Sequence, residues 1–138
     1  MSTETNKKIV TRFNMEFIEA GNEKVYRELV DPSFINRTAP AGAQTAEASF
    51  QFIQNVLRSA IQNLKVTIHT QVAENDLVVT HKTFTGIHVQ DFAGIKPSHR
   101  EVKIHIMDII RLKDDKYVEH WSVRDMQDVI SESLKASS

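Results

Sequence analysis

The amino-acid sequence predicts an α+β fold, with helices in the first half of the chain and an antiparallel sheet in the second. Apolar residues between positions 9 and 64 recur at steps of three and four, which is the period of one face of a helix. From position 66 onward, apolar and polar residues alternate between short polar turns, which is typical of strands. Strands joined by tight turns pair antiparallel, so a parallel Rossmann-type sheet is excluded.

The first two predicted helices are separated by a glycine and an asparagine. An apolar stripe over residues 9–20 predicts the first helix, which ends at Gly21 because glycine is the usual residue after a helix end. Asn22 is the predicted N-cap of the second helix, which continues through Val30. Pro32 stops it, because proline lacks the backbone N–H that a helix interior requires.

The remaining elements are a third helix, four strands and a short last helix. Thr45 is the predicted N-cap of the third helix, whose apolar stripe runs from Phe50 to Leu64. Strands are predicted at residues 66–72, 77–87, 101–112 and 117–123, and the last helix at about residues 125–134. These elements form a four-strand antiparallel meander with helices at both ends.

Both faces of the long third strand are largely apolar. One face carries Val102, Ile104, Ile106, Asp108 and Ile110. The other carries His105, Met107 and Ile109. Since neither face suits full exposure to water, we expect the helices to cover one and a second subunit the other. The sequence therefore predicts a homodimer formed through the sheet.

Length and composition exclude several classes of protein. The 138 residues indicate one domain over residues 1–138. A net charge of −1 provides no basic surface for nucleic acid, and the longest uncharged run has ten residues, whereas a membrane helix needs about 20. The polar N-terminus predicts no signal peptide and no membrane partner, so we expect a cytoplasmic location. The absence of cysteine excludes disulfides, thiol nucleophiles and thiolate metal sites.

Asp108 and His120 are the predicted catalytic residues. Asp108 lies in an apolar stripe, so its pKa is expected to rise unless a cation pairs with it, which suits a general acid or base. A hairpin turn centred between Asp114 and Asp115 places Asp108 opposite Trp121 or Ser122 and diagonal to His120. Two alternatives stay open: a structural hydrogen bond or sheet-edge position for the carboxylate, and a half-exposed strand position for the histidine.

Phe34, Asn36, Ile106 and Ser122 are the predicted substrate-binding residues. Phe34 is expected to point inward, and the Asn36 amide can meet a substrate oxygen or, alternatively, bond its own backbone in a turn. The six histidines lack metal-ligand spacing, and no P-loop, G-x-G-x-x-G or G-x-S-x-G motif is present. The sequence therefore predicts no metal and no cofactor.

From about residue 6 to residue 133, the chain resembles the SnoaL-like polyketide cyclases, also called ester cyclases. These belong to the nuclear-transport-factor-2-like and ketosteroid-isomerase-like superfamily. Four segments carry the resemblance: Asp31-Pro32-x-Phe34-x-Asn36, Val78-Val79 leading to Thr85-Gly86-Ile87-His88, Phe92-x-Gly94-Ile95-x-Pro97, and Asp115-x-Tyr117-Val118-Glu119-His120-Trp121 followed by Asp125. The last segment is the most specific of them.

The resemblance implies a cone-shaped α+β barrel, in which a curved, mostly antiparallel sheet is wrapped by three N-terminal helices around a deep pocket. Such proteins are often dimers through the sheet. The characterised cyclases close the last ring of an aromatic polyketide by intramolecular aldol condensation, without metal or cofactor. In them an acid–base residue takes a proton alpha to a carbonyl, and polar groups hold the enolate oxygen.

The alignment departs from the cyclases at the residue that does their chemistry. Their acid–base aspartate aligns with Ser122, their pocket histidine on the long strand aligns with Asp108, and their loop asparagine aligns with Asn36. We therefore expect acid–base chemistry on a small, mostly apolar carbonyl compound, carried by a rearranged Asp108–His120 pair or by Asp125 turned inward. Asp125 has the simpler alternative of capping the last helix.

Two other functions stay open. One is a ligand-binding or dimeric scaffold module without catalysis, which the serine at position 122 favours. The other is an epoxide hydrolase, whose water-activating unit resembles two aspartates bridged by an arginine. Arg111 lies on the wrong face of its strand to join Asp108, and Arg100 is roughly 26 Å away along an extended strand.

Overall fold

Five strands form one open sheet in the computed structural model, which describes residues 2–137. The strands are β1 (Val30–Asn36), β2 (Ile61–Glu74), β3 (Leu77–His88), β4 (Glu101–Lys113) and β5 (Lys116–Arg124). Their order across the sheet is β1-β5-β4-β3-β2. β1 pairs parallel with β5, and the other neighbours pair antiparallel. The α+β class and the four-strand meander are confirmed, and β1 is an additional edge strand.

The helices are α1 (Thr3–Arg12), π1 (Phe13–Glu19, a π-helical continuation), α2 (Glu23–Leu29), α3 (Ala46–Gln51), π2 (Phe52–Leu57), α4 (Arg58–Ala60) and α5 (Met126–Ser137). The predicted caps at Asn22 and Thr45 and the predicted chain reversal at Gly21 are confirmed. The Asn22 side chain accepts from the Lys24 N–H at 3.1 Å, and Thr45 accepts from the Ala48 N–H at 3.1 Å. Gly21 has a φ of +76°, which glycine adopts without strain. Within residues 2–137, none of these helices is long and apolar enough to cross a membrane.

Two helix ends differ from the prediction. Val30 is the first residue of β1, where it pairs with Tyr117, so the second helix ends earlier than expected. The third helix ends at Ala60 because Ile61 takes up extended backbone and pairs with His88. The predicted helix was too long because Leu64 continues the apolar stripe but lies in β2. There it is buried, next to a register shift between Gln62 and Lys65.

The hairpin between β4 and β5 follows the predicted register. Asp114 and Asp115 both have positive φ angles, 51° and 63°, which matches the twist of a two-residue hairpin turn. As a result Asp108 pairs directly with Ser122, one of the two predicted partners. The predicted two faces of β4 are also present: Ile106 and its inward neighbours are buried, whereas Met107 is 49% exposed.

Candidate active site

A cavity of about 410 Å³ lies between the inner face of the sheet and the helices. Most of its lining is apolar or aromatic. The lining includes all the residues predicted for the site: Phe34, Asn36, Ile106, Asp108, His120 and Ser122. The two catalytic candidates and the four binding candidates therefore face one space, although they come from three separate strands.

The inner face of the sheet arranges the charged residues in three rows across β3, β4 and β5. The first row is Val78, Ile110 and His120; the second is Thr80, Asp108 and Ser122; the third is Lys82, Ile106 and Arg124. Asp108 is at the centre of this array, with Lys82 and His120 at opposite corners. Diagonal neighbours on one face of a sheet are within reach of long side chains.

Lys82 forms a buried ion pair with Asp108. Its Nζ lies 3.0 Å from Asp108 Oδ2, and the two side chains are only 4% and 5% exposed. Nζ also donates to Asn14 Oδ1 at 2.7 Å, and the Asn14 amide donates to the Val10 carbonyl at 2.8 Å. Burial raises the pKa of the Asp108 carboxyl, but Lys82 and His120 outweigh it, so that pKa lies below its ordinary value. The predicted rise is therefore wrong, because a cation is paired with the carboxylate.

His120 reaches the same carboxylate from the other side. Its Nε2 lies 3.5 Å from Asp108 Oδ2, and its Nδ1 lies 3.1 Å from Asn36 Oδ1. Asn36 is paired with His120 in the parallel pairing of β1 with β5, so the two side chains lie side by side on the same face of the sheet. The Phe34 ring stacks beside the imidazole, with 6.5 Å between the ring centres. Asn36 thus positions the histidine.

These contacts make one continuous polar chain, Asn14–Lys82–Asp108–His120–Asn36, across an otherwise apolar floor. The polar chain is incompletely satisfied. Asp108 Oδ1 is buried, and no described residue donates a hydrogen bond to it. The hydroxyl of Ser49, on the helical wall of the same cavity, is likewise buried without a partner among residues 2–137. Buried polar atoms without partners are costly in a folded protein, and they suit a ligand that supplies the missing bonds.

Ser122 and Asp125 lie apart from this chain. Ser122 is directly opposite Asp108, but its hydroxyl is 3.4 Å from that of Thr38, and its N–H donates to Thr38 Oγ1. Asp125 accepts from the His105 N–H at 2.7 Å and contacts the His105 ring at 2.9 Å. His105 is on the outer face of β4, so the alternative of an inward Asp125 carboxylate is wrong. Asp125 directly precedes the last helix, and its backbone carbonyl accepts from the Val129 N–H at 2.9 Å, as expected of an N-cap residue.

Arg111 is also remote from the cavity, as its position on the strand predicted. It donates to Asp76 at 2.8 Å and to Glu119 at 2.9 Å. Neither it nor Arg100 lines the cavity, so they do not supply the arginine that the epoxide hydrolase hypothesis needs.

Four residues that line the cavity were not among those predicted for the site. Lys82 and Phe84 alternate with outward residues along β3, and that alternation was the available signal for an inward lysine. Arg124 continues the inward series of His120 and Ser122 by the same two-residue step. Tyr117 lines the cavity as well, and burial, with Asp108 as a smaller cause, raises the pKa of its hydroxyl well above the ordinary value.

The sequence pattern of one protein family, described as SnoaL-like polyketide cyclase, matches residues 8–132. The chain belongs to the SnoaL-like polyketide cyclase family. This confirms the resemblance drawn from the sequence and accounts for the α+β architecture. A comparison with curated proteins found no match. In the part of the chain that the structure describes, no group of three or more His, Cys, Asp or Glu side chains is placed to hold a metal ion.

Solved structures of similar fold include TsrD and two proteins described as SnoaL-like polyketide cyclases. TsrD from Streptomyces laurentii is 22% identical, with a TM-score of 0.85 over 99% of this chain and 98% of that one. A candidate SnoaL-like polyketide cyclase from Jannaschia sp. CCS1 is 25% identical, with a TM-score of 0.83 over 96% and 93%. A SnoaL-like polyketide cyclase from Agrobacterium tumefaciens is 15% identical, with a TM-score of 0.78 over 97% and 99%. These similarities support the NTF2-like cone fold.

Proposed function

We propose that this SnoaL-like protein is an acid–base enzyme that removes a proton alpha to the carbonyl group of a small, mostly apolar compound. The observation that carries the proposal is the free, buried Oδ1 of Asp108 at the centre of an apolar cavity. The apolar surroundings remove water from this carboxylate. Lys82 and His120 fix its orientation, because both contact the other oxygen, Oδ2. Carbonyl compounds of this kind supply the acidic C–H group and the apolar body that the cavity suits.

In the proposed step, Asp108 Oδ1 accepts the proton from the carbon next to the carbonyl. The electron pair of the broken C–H bond forms a carbon–carbon double bond, and the carbonyl oxygen becomes an enolate. Lys82 and His120 are the groups that stabilise this charge. An ammonium has three N–H donors, of which Lys82 uses one for Asp108 and one for Asn14, so one remains for the enolate oxygen. Hydrogen-bond donors that are already directed at the atom where negative charge develops stabilise the transition state strongly.

The remaining cavity residues bind and position. Phe34 and Ile106 form apolar walls against the body of the ligand. Asn36 holds the imidazole of His120 through Nδ1, which leaves Nε2 directed at Asp108 and the reacting centre. Ser122 contributes a hydroxyl near the rim. The proposed chemistry needs only these side chains, and an aldol ring closure would follow if the enolate carbon met a second carbonyl in the same ligand.

A second candidate function is ligand binding without turnover. The Lys82–Asp108 ion pair favours it, because a carboxylate whose pKa is lowered is a weaker base than one that is only buried. Ser122 also favours binding without turnover, because the cyclases have their acid–base aspartate at the aligned position. Under this hypothesis the polar chain selects the ligand and no proton is exchanged.

Hydrogen–deuterium exchange separates the two functions. Aromatic polyketide esters and simple aryl ketones are incubated with protein in D₂O, and loss of the alpha-proton signal is followed by NMR. We expect exchange by the wild type, and a loss of about 10²–10⁴-fold in Asp108→Asn and His120→Gln. Asp125→Asn and His105→Gln are matched controls, because they alter an Asp–His pair on the opposite face of the sheet. Ligand binding without exchange by the wild type would favour the second function.

A further inference from the structure

The charges that line the cavity do not cancel. Among residues 2–137, two cations, Lys82 and Arg124, and one carboxylate, Asp108, face it together with His120. Lys82 is paired with Asp108, so the remaining fixed charge is that of Arg124. Leaving His120 out of the sum, the charges of Lys82, Asp108 and Arg124 add up to +1, whereas the chain as a whole carries −1. A positively charged cavity in a protein of negative net charge favours an anionic ligand.

Among residues 2–137, Arg124 differs from the other arginines because its guanidinium has no hydrogen-bond acceptor and no carboxylate partner. Arg12, Arg27, Arg37, Arg58, Arg100 and Arg111 all donate hydrogen bonds to carboxylates or carbonyl groups. The Arg124 backbone pairs with Ile106 of β4, but within residues 2–137 its side chain forms neither a hydrogen bond nor an ion pair. Its guanidinium carbon stands 5.2 Å from the centre of the Phe52 ring, on the helical wall of the cavity. An arginine held over a ring keeps the N–H groups at its edge available.

The environment of Arg124 favours an anion over water as its partner. The residue as a whole is exposed, so a ligand can reach it from the mouth of the cavity. The protein around the guanidinium nevertheless desolvates it, and this lowers its pKa below the ordinary value. A planar guanidinium that has lost part of its hydration binds a carboxylate through two parallel hydrogen bonds.

The register fixes how far this cation is from the reacting centre. Ser122 is directly opposite Asp108, and Arg124 is two residues further along β5 on the same face. Two residues of a strand span roughly 7 Å, which is comparable with the width of an aromatic ring and its substituents. A ligand that spans both groups therefore has its anionic and enolisable ends separated by a short apolar body.

We propose that the substrate is a keto acid, with a carboxylate bound by Arg124 at the rim and its enolisable carbon beside Asp108. This inference rests on the proposed function of the site and adds the substrate class. It distinguishes a free acid from the ester of the same compound, since an ester has no charge to offer the guanidinium. Arg124 is then the residue that determines specificity.

The test compares 4-acetylbenzoate with methyl 4-acetylbenzoate. Both carry an enolisable methyl ketone at one end of a rigid ring, and only the first carries a carboxylate at the other. Binding to the full chain is measured by isothermal titration calorimetry. We expect the acid to bind roughly tenfold more tightly than the ester, because hydrogen bonds to charged groups are the stronger class. Arg124→Gln should remove this preference.

Arg27→Gln is the matched control. Arg27 also stands over a phenylalanine, with its guanidinium carbon 4.3 Å from the Phe50 ring centre, but it pairs with Glu47 and does not line the cavity. This variant should keep the preference for the acid. Equal affinity for acid and ester in the wild type, binding of neither, or an unchanged preference in Arg124→Gln would overturn the inference.

Exchange measured on the same two probes separates this inference from the proposed function. A preference for the acid that depends on Arg124, without exchange of the methyl protons, supports the keto-acid ligand and contradicts the enzyme. Exchange of both probes at equal rates and equal affinities supports the enzyme and contradicts the role of Arg124. Exchange of the acid that is faster in the wild type than in Arg124→Gln supports both.

Discussion

The Lys82 ammonium lies 3.0 Å from the Asp108 carboxylate, and both side chains are almost completely buried. This relationship gives Asp108 a structural role in addition to its proposed chemical one. Removing either partner leaves a charge without compensation in an apolar interior. It also keeps the carboxylate ionised, so that it can accept a proton at neutral pH.

Asp108→Asn should destabilise the protein at pH 7, by about 3–5 kcal/mol, since Lys82 would remain buried and unpaired. From the apolar stripe alone we would expect this change to be neutral or stabilising, and the ion pair reverses that expectation. Urea unfolding followed by circular dichroism measures the effect. Asp125→Asn, which breaks an exposed pair with His105, is the control and should cost much less.

The double variant Asp108→Leu with Lys82→Met should recover most of that loss. Apolar side chains of similar volume can replace a buried ion pair with little change in stability or with a gain. The same unfolding experiment tests this. If the double variant were as unstable as Asp108→Asn alone, the loss would not come from an unpaired charge.

The ion pair also predicts how stability depends on pH. The pKa of Asp108 is lowered in the folded protein from an ordinary value of 3.8. The contribution of this carboxylate to the free energy of unfolding is therefore fully present above pH 3.8. The contribution is lost as the pH falls through the lower folded pKa, because the folded state then has to take up a proton that it disfavours. The free energy of unfolding of the wild type, minus that of the double variant, should stay constant from about pH 5 to 8 and shrink below about pH 4. A difference that changed between pH 5 and 8 would contradict this.

We propose that a second copy of the chain covers the outer face of the sheet. Met107 is 49% exposed there, Ile109 37% and Val123 71%, which is a large apolar area for a free surface. Met107→Lys should then shift the protein towards a monomer, whereas Val56→Lys, on an exposed helical position, should not. Light scattering should give about twice 15.7 kDa for the wild type and for Val56→Lys. A wild-type mass of one chain at micromolar concentration would refute the dimer.

The parts of the fold that sequence reasoning predicted are those set by nearby residues. Helix caps at Asn22 and Thr45 depend on hydrogen bonds within three residues, and the register of Asp108 with Ser122 depends on one tight turn. β1 was missed because its pairing with β5 joins segments more than 80 residues apart. Its Pro32 argues against a central strand, but a proline is tolerated at the edge of a sheet, where β1 lies.

The composition of the site was harder to predict than its location. Asp108 and His120 were identified because each stands out locally, as a carboxylate in an apolar stripe and as an inward histidine. The sequence does not mark Lys82 as a site residue, because a lysine in an alternating strand usually lies on the solvent-exposed face. Its burial follows from the position of β3 between β2 and β4, together with Asn14 on a distant helix. The direction of the change in the pKa of Asp108 depends on the contacts of its carboxylate with Lys82 and His120.

Ser122→Asp restores the carboxylate that the cyclases carry at the aligned position. The new side chain would face Asp108 directly across the β4–β5 pairing. Two carboxylates that close share a proton, which raises the pKa of one of them towards values useful for catalysis. We expect weak aldol or enolisation activity in this variant, measured by NMR of product formation from an aromatic polyketide ester. Ser133→Asp, on the last helix and outside the cavity, is the control and should have no such effect.

Asp108 and His120 are proposed to act as one catalytic unit, and a double-mutant cycle in the exchange assay measures the coupling between them. Exchange rates are compared for the wild type, Asp108→Asn, His120→Gln and the double variant, each shown to be folded by circular dichroism. Members of one catalytic unit are strongly non-additive, so we predict that the double variant is scarcely slower than either single variant. If Asp108→Asn does not fold, all four members of the cycle carry Lys82→Met, and Asp108→Leu replaces Asp108→Asn. Independent losses that multiply in the double variant, or exchange at the wild-type rate after removal of the carboxylate, would show that the two residues do not form a catalytic unit.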